Sequence, residues 1–302
     1  MNGKTPHIVQ YQGSKRILAP QILQFMPNRF KRLIEPFAGM AAITVAVAQE
    51  KRTEQFIIND INKPIVRLLQ AAIDAPAELV EEYTKVWEGQ FMDPGGHLDH
   101  FYYIRDSFNE GTQSAENMLY LLARCVKGAV RYGKNGNFNQ SPDKRRHGTN
   151  PKNIAESVYA ISALLKGKTT FSTVDYREVF EIAQPGDLVY MDPPYQGVSN
   201  TRDNRYYAGV GLDDFAQSIK VLNRKGVDYI ISYDGACGGK EYGDDLPGCL
   251  NCTKILLNAG LSTQATLLGK RDVTYEALYI SENLAGAIRH LPEQMTLMEW
   301  VG

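Results

Sequence analysis

The chain has 302 residues, a formal net charge of -1 at pH 7, and 43% hydrophobic and 22% charged residues. This balance is typical of a folded globular protein and excludes a disordered or fibrous chain. No apolar run approaches the roughly 18 residues of a membrane span, and the N-terminal residues lack the apolar segment of a signal peptide, so a cytoplasmic location is expected. A net charge near zero gives no general attraction to nucleic acid, so such a partner would need a local basic cluster.

The first candidate ligand loop precedes a helix predicted over residues 17–26. In Gln10 to Arg16 a glycine lets the backbone approach a ligand, and Lys15 supplies a point charge for a carboxylate. The alternative is a capped helix start with a solvated lysine. This segment taken alone favours that alternative.

A second glycine turn follows a short apolar strand, where Glu35-Pro36-Phe37-Ala38-Gly39 leads into an alanine-rich helix over residues 41–49. The glycines are too few for a dinucleotide-binding turn, and no phosphate-binding Walker loop of the form Gly-x-x-x-x-Gly-Lys-Ser/Thr is present. Asp60 ends a strand predicted over residues 55–59 and lies 21 positions after Gly39, where acidic residues of nucleotide-binding folds contact ribose hydroxyls. The pair predicts a nucleoside ligand without a pyrophosphate. The alternative is that Asp60 caps a helix over residues 63–73.

Residues 77–90, 97–108 and 114–127 carry apolar side chains at spacings of three and four, which predicts three helices. These helices interrupt the alternation of strands and helices. We therefore expect a helical insertion that begins near residue 62, with its aromatic and leucine side chains forming a buried stripe.

Basic residues are concentrated between Arg124 and Lys152, a stretch with one acidic residue, Asp143. Within it, Asn135-Gly136 predicts a hairpin turn of type I′. Cations that contact phosphate, amides that read adenine and rings such as Phe138 that wedge into a base stack favour a duplex partner. A solvated surface hairpin is the alternative. The predicted nucleic-acid contacts are Arg131, Tyr132, Lys134, Asn137, Asn139, Lys144, Arg145 and Arg146.

The most informative stretch is Asp192-Pro193-Pro194-Tyr195, directly after the apolar run Leu188 to Met191. Two prolines cannot extend a hydrogen-bonded strand, so the strand ends here with a rigid backbone. Asp192 and the proline carbonyls offer acceptors for the amino group of a base, and Tyr195 offers a ring for stacking. Acceptors on both amino hydrogens stabilise the positive charge that develops when the nitrogen attacks a methyl donor. The pattern indicates amine methylation, with a simple strand stop as the alternative.

The remaining pattern completes an α/β chain. We predict a helix over residues 151–166, a strand over 169–173, a helix over 213–224, a strand over 228–233 and a terminal pair of strands within 261–280. Parallel strands open their sites at the carboxyl edge, so Asp60, Asp175 and Asp192 are expected at one rim. Residues 199–211 lack periodicity and are interpreted as a lid.

The four cysteines, Cys125, Cys237, Cys249 and Cys252, are too few for a disulfide scaffold. Three of them suggest a zinc site, but no histidine stands nearby to complete four ligands. We expect these three to be reduced cysteines in surface loops, and we expect no metal.

In this order, Tyr-x-Gly-x-Lys at Tyr11, Glu-Pro-Phe-x-Gly at Glu35, Asn-Asp-Ile-Asn at Asn59 and the Asp-Pro-Pro-Tyr tetrapeptide resemble the Dam-type (D12 class) DNA adenine methyltransferases. The resemblance covers residues 11–282. It implies a Rossmann-like class I methyltransferase α/β sheet with an inserted, mainly helical DNA-recognition subdomain. Residues 1–61 and 168–302 would form the catalytic domain, and residues 62–167 the target-recognition domain with its basic hairpin.

The resemblance also implies an activity, namely methyl transfer from S-adenosylmethionine to N6 of an adenine flipped out of a specific duplex DNA sequence. Asp192, Pro193, Pro194 and Tyr195 would hold the adenine. The implied partners are double-stranded DNA and, in a restriction-modification system, a cognate restriction endonuclease. The implied S-adenosylmethionine contacts are Tyr11, Lys15, Phe37, Gly39, Asp60, Asp175 and Asp192.

Two departures from the family pattern are visible. Ala41 replaces a second turn glycine, and because alanine is small we expect cofactor binding to survive. The hairpin differs from that of members that methylate GATC, so the target sequence is not predicted. An adenine methyltransferase acting on RNA and a catalytically silent DNA- or S-adenosylmethionine-binding module stay open as alternatives.

Overall fold

The computed structural model describes residues 5–111, 113–194, 211–237, 240–241, 245–261 and 273–289. Tyr195 and residues 199–210 of the predicted lid lie outside this part of the chain. Across the described ranges, no helix is both long and apolar enough to cross a bilayer.

The described residues form one mixed sheet of eight strands, ordered β3-β2-β1-β4-β5-β8-β7, with a short β6 paired to β5. Strands β1 to β5 are parallel to one another, and β8 runs antiparallel between β5 and β7. Strands β1, β2 and β4 are buried throughout, as expected for parallel strands covered on both faces. The strands are β1 (Leu33–Glu35), β2 (Phe56–Asn59), β3 (Thr169–Ser172), β4 (Leu188–Met191), β5 (Asp228–Cys237), β6 (Lys240–Glu241), β7 (Cys252–Leu261) and β8 (Val273–Ser281).

The direction of progress across the sheet reverses between β1 and β4. From β1 the chain proceeds to β2 and β3 on one side, and it returns to β4 and β5 on the other. A crevice opens at such a switch point because the loops after the two neighbouring strands leave in opposite directions. The carboxyl ends of β1 and β4 therefore frame the place where a ligand site is expected.

Two apolar cores lie on the two faces of the sheet. One contains Leu33, Leu188 and Ile280 and continues into the inserted helices, and the other contains Val189 and Phe215. The predicted α/β class is confirmed. The helices are α1 (Ala19–Ile22), α2 (Ala42–Gln49), α3 (Lys63–Asp74), α4 (Pro76–Met92), α5 (Gly96–Asn109), α6 (Ala115–Arg124), α7 (Pro151–Leu165), α8 (Tyr176–Ile182), α9 (Leu212–Lys225) and α10 (Glu282–Arg289).

Helices α3 to α7 occupy the connection between β2 and β3. Helix α4 packs against α5, α6 and α7, while α7 also contacts α2 beside the sheet. Because these helices share an apolar core with one face of the sheet, they form a layer against it. The division at residues 62 and 167 into catalytic and recognition domains stays a functional proposal.

The tip of the basic hairpin differs from the predicted type I′ turn. The Gly133 N–H donates to the Asn137 carbonyl (2.8 Å), which leaves a three-residue loop over 134–136. A type I′ turn needs positive φ at both Asn135 and Gly136, but only Gly136 has one, at +77°. The loop is therefore the longer kind that ends in a left-handed glycine.

The terminal strand pair begins earlier than the predicted residues 261–280. It consists of β7 and β8, and β7 starts at Cys252. In β7 the buried Ile255 and Leu257 flank Leu256, which is 49% exposed. This exposed leucine hides the alternation, because three consecutive apolar residues do not look like a strand with one buried face.

Of the three cysteines predicted to lie in surface loops, the one whose side chain is described, Cys252, lies in a strand instead. Cys125 is buried, and Cys252 is partly buried at the start of β7. The side chains of Cys237 and Cys249 lie outside the described part. Among the side chains that are described, no group of three or more His, Cys, Asp or Glu is arranged to hold a metal ion.

Ala41 has a backbone conformation that L-amino acids rarely adopt, with φ +52° and ψ +40° directly before α2, and its side chain is fully buried. Ala41→Val is expected to lower the free energy of unfolding by about 3 kcal/mol, because a β-branched residue adds backbone strain and overpacks the core. Urea unfolding measures this change.

The matched control is Ala41→Gly. Relief of backbone strain is offset by the lost buried methyl group and by the greater freedom of glycine in the unfolded chain, so a change within about 1 kcal/mol is expected. A valine variant as stable as the wild type would contradict the left-handed conformation at Ala41.

Candidate active site

A cavity of about 330 Å³ opens at the switch point between β1 and β4. Its walls come from the N-terminal loop and from the segments that follow the first four parallel strands. It brings together most residues that the sequence predicts for cofactor and base binding. These are Tyr11, Lys15, Phe37, Gly39, Asp60, Asp175, Asp192, Pro193 and Pro194.

The turn after β1 requires a residue without a side chain at position 39, and this keeps the backbone accessible at the cavity wall. Gly39 has φ +48°, and a Cβ there would lie 3.2 Å from the ring of Tyr11. A side chain at position 39 would therefore be strained and crowded. Phe37 is held at the cavity wall by contact with the ring of Tyr176, at 5.1 Å between centroids.

Asp60 fixes the relative positions of the ends of β1 and β2. Its Oδ2 accepts from the N–H of Gly39 (2.8 Å) and its Oδ1 from the N–H of Asn62 (2.9 Å). Burial raises the pKa of Asp60, and the two N–H groups oppose that rise. The alternative that Asp60 caps α3 is wrong, since the residue before the helix is Asn62.

Asp175 stands at the N-terminus of α8 and accepts from the N–H of Arg177 (2.9 Å). The guanidinium of Arg177 also lies 2.7 Å from its Oδ1. This hydrogen bond and the neighbouring positive charge lower the pKa of Asp175. The carboxylate lies at the rim of the cavity, as predicted from the end of β3.

Asp192 follows the buried strand β4 directly and shares a buried lysine with a second carboxylate. The Nζ atom of Lys15 lies 2.8 Å from Asp192 Oδ1 and 3.1 Å from Glu276 Oε1. Burial disfavours the charge on Lys15, but the two carboxylates outweigh that effect and raise its pKa. The lysine is therefore a fixed cation at the cavity wall beside Asp192.

A family model described as D12 class N6 adenine-specific DNA methyltransferase matches residues 11–252. The chain belongs to this family. The match contains the N-terminal loop, the β1 turn, the basic hairpin and Asp192, so the resemblance inferred from the sequence is confirmed.

Individual relatives agree with this assignment. The methyltransferase is 27% identical over 237 residues to the type II methyltransferase M1.LlaDCHI of Lactococcus lactis subsp. cremoris. The aligned region covers 74% of this chain and 79% of that protein. It is 27% identical over 233 residues to a DNA adenine methylase of Vibrio cholerae serotype O1, with 74% and 79% covered. It is 25% identical over 254 residues to the type II methyltransferase M.MjaIII of Methanocaldococcus jannaschii, with 78% and 86% covered.

The cavity of the methyltransferase also contains polar residues that sequence reasoning missed. Glu35, at the end of β1, accepts from the hydroxyl of Thr44 (2.7 Å), and burial raises its pKa to about 8. Tyr190 shares a hydrogen bond with Ser232 (2.7 Å), and burial raises its pKa. The position of Glu35 as the last residue of a parallel strand is a signal that could have identified it.

Most predicted nucleic-acid contacts are exposed on the methyltransferase, and their surface is strongly basic. Arg146 is partly balanced by Asp143, with Nε 3.6 Å from its Oδ2. Val130, directly before this segment, lines the cavity. The exposed side chains are Arg131, Lys134, Asn137, Asn139, Lys144, Arg145 and Arg146.

Tyr132 and Phe138 do not extend from this surface. Both are buried, Phe138 packs against Phe108, and the Tyr132 hydroxyl donates to Asn62 Oδ1 (2.9 Å). The prediction that these rings are presented to a base stack is therefore wrong for this conformation. Their physical role is to anchor the hairpin on the helical layer.

A backbone contact also ties the start of the hairpin to the N-terminal loop. The N–H of Gln12 donates to the carbonyl of Gly128 (3.1 Å). Gly128 has φ +58°, and a Cβ there would lie 1.9 Å from the carbonyl oxygen of Gln10. Glycine is required at this position because the two backbones touch.

Proposed function

We propose that this methyltransferase transfers a methyl group from S-adenosylmethionine to the N6 amino group of adenine in a specific duplex DNA sequence, after the adenine has flipped out of the helix. The observation that carries the proposal is the position of Asp192, Pro193 and Pro194. They follow β4 and line the same cavity as the Gly39 turn and Asp60. Family membership supplies the reaction class.

The cavity fits S-adenosylmethionine in size and in chemistry. Its volume of about 330 Å³ lies within the roughly 300–1,000 Å³ common for small-molecule sites. Asp60 accepts two N–H groups and, because a carboxylate has about four acceptor positions, retains capacity for ribose hydroxyls. When bound, this cofactor supplies an electrophilic methyl group on a sulfonium.

Lys15 is better suited to orient Asp192 than to bind a cofactor carboxylate, the role suggested by its loop. Its ammonium already contacts two protein carboxylates. These contacts hold Asp192 in one orientation at the end of the rigid strand. We therefore assign Lys15 to the positioning of the acceptor for the base.

The chemical role of the Asp192 segment follows from how an aromatic amino group reacts. The nitrogen lone pair is delocalised into the ring, so the free base is a poor nucleophile. Acceptance of its hydrogens by the Asp192 carboxylate and the Pro193 carbonyl favours a tetrahedral nitrogen. The negative charge of Asp192 then stabilises the positive charge that develops on N6 during the attack. Positioning of the flipped base supplies a further part of the rate.

The exposed basic surface supports DNA as the partner and makes a quantitative prediction. Neutralising Lys144, Arg145 and Arg146 to glutamine is expected to weaken DNA binding and to reduce the salt slope of log K by about 2 to 3, since each phosphate contact contributes about 0.9. Fluorescence anisotropy at several salt concentrations measures the slope.

The matched control neutralises three exposed cations at the opposite edge of the sheet. Lys51, Lys166 and Arg224 stand near the C-terminal ends of α2, α7 and α9, which lead back to the amino ends of the parallel strands. Their removal is expected to leave the slope unchanged. An unchanged slope in the first variant would exclude its residues from the DNA interface.

The reaction is tested by transfer of labelled methyl from S-adenosylmethionine to unmethylated genomic DNA, with RNA as a competing acceptor. Single-molecule mapping then locates the modified bases. N6-methyladenine in one short DNA motif supports the proposal and gives the target. Label in RNA alone would favour an RNA methyltransferase, and cofactor binding without transfer would favour a silent binding module.

Two of the relatives are named type II methyltransferases, and this supports a restriction-associated setting as part of the proposal. In that setting the chain protects host DNA from a cognate endonuclease that cleaves the same sequence. DNA methylated by this enzyme should then resist cleavage in extracts of its own host, while unmethylated DNA is cut. Equal cleavage of both samples would indicate an enzyme without a restriction partner.

A further inference from the structure

Glu276 is the least expected member of the charged group beside the cavity. The family match ends at residue 252, so Glu276 lies beyond it, on the antiparallel strand β8. Its Oε1 atom nevertheless lies 3.1 Å from the Nζ atom of Lys15. The side chains of Lys15, Asp192 and Glu276 are only 8%, 22% and 15% exposed.

The sheet geometry explains how these three residues meet. Side chains two positions apart on a strand point to the same face. Glu276 therefore shares a face with Leu278 and Ile280, and Asp192 continues the face of Tyr190. Leu278, Ile280 and Tyr190 belong to the apolar core that also contains residues of the N-terminal segment. Lys15 enters from that segment and lies between the two carboxylates.

The division of one cation between two anions has a chemical consequence for Asp192. If Lys15 were paired with Asp192 alone, its positive charge would offset the negative charge of that carboxylate and weaken Asp192 as a hydrogen-bond acceptor. With Glu276 as a second partner, Lys15 is held at a fixed point, and Asp192 keeps more of its negative charge for a developing cation. Partial burial strengthens each of these interactions relative to water.

We propose that Glu276 is a positioning residue for methyl transfer, which holds Lys15 so that Asp192 presents a fixed and strongly accepting carboxylate to the base amino group. The inference rests on the proposed function. It assigns a role to β8, a strand outside the family match. Glu276 acts through Lys15 and does not itself touch the substrate.

The test compares Glu276→Gln and Glu276→Asp with the wild type in steady-state methylation of the mapped DNA site, with single-turnover runs to isolate the chemical step. Loss of a direct electrostatic contact costs about 10²–10³ in rate, so the indirect loss in the glutamine variant is expected to be about ten- to fiftyfold in kcat. KM for DNA and the affinity for S-adenosylmethionine should stay within about twofold, because the ground-state contacts are retained. The aspartate variant keeps the charge at a longer distance and should fall only about threefold.

Glu54→Gln is the matched control. Glu54 also pairs with a lysine, Lys168, but on the exposed surface away from the cavity, and its replacement should leave kcat unchanged. A wild-type kcat in the Glu276→Gln variant would overturn the inference. So would equal losses in both Glu276 variants accompanied by weaker cofactor binding, since that outcome describes a purely structural residue.

Two further outcomes are decisive. If Glu276→Gln does not fold, the aspartate variant carries the test, and an unchanged kcat there overturns the inference. A wild-type enzyme that transfers no methyl group to DNA would overturn the proposed function itself. The two failures are distinguishable because the second appears before any substitution is made.

Discussion

Replacement of Asp192 by alanine is expected to reduce the rate of methyl transfer by about 10²–10³-fold, the usual loss when one preorganised electrostatic contact to a transition state is removed. The fold should survive. Lys15 keeps Glu276 at 3.1 Å, so the substitution does not leave a buried lysine without a counterion. Single-turnover methylation measures the rate, and calorimetry and anisotropy measure binding of cofactor and DNA.

Asp192→Asn is the matched variant for this prediction. Asparagine preserves the shape and one carbonyl acceptor but removes the charge, so its rate should lie between those of alanine and wild type. Binding of DNA and cofactor should be retained in both variants. Normal turnover by Asp192→Ala would refute the assignment of this residue to catalysis.

Lys15→Met is expected to have the largest effect on stability. The substitution leaves Asp192 and Glu276 side by side, partly buried and without their shared cation. Breaking a buried ion pair by removal of one partner costs about 3–5 kcal/mol of unfolding free energy. Urea unfolding at neutral pH, followed by circular dichroism, measures the loss.

The control is Lys168→Met, which breaks the exposed pair with Glu54. Surface ion pairs contribute about 0–1 kcal/mol, so this variant should be close to wild type. A Lys15→Met variant of similar stability would mean that Asp192 and Glu276 find other compensation. The inferred role of the lysine as their common partner would then be untenable.

The parts of the site that the sequence predicts are those encoded by contiguous residues. The turn at Gly39 and the strand end at Asp192 each combine a short apolar run with residues that cannot continue it. Such signals are local, and the parallel topology then places their ends at one edge. This is why the cavity contains Gly39, Asp60 and Asp192 together.

The parts that the sequence does not predict depend on pairing between distant segments. Glu276 reaches Lys15 because of the register of β8 between β5 and β7, and no local pattern specifies that register. Burial of Phe138 depends on Phe108, from a helix that precedes the hairpin by many residues. An aromatic residue in a basic hairpin has the same sequence appearance whether it faces a helix or the solvent.

Under the proposed function, the attachment of the hairpin at Gly128 and Tyr132 constrains how the target specificity of this chain can be exchanged. Gly128 touches the backbone of Gln10, and Tyr132 donates to Asn62, whose own N–H is held by Asp60. A grafted hairpin from a relative would meet a foreign N-terminal loop and a foreign residue at position 62. Functional chimeras should therefore require exchange of residues 10–12 and 62 together with the hairpin, so that the hairpin and the cavity wall are exchanged as one unit.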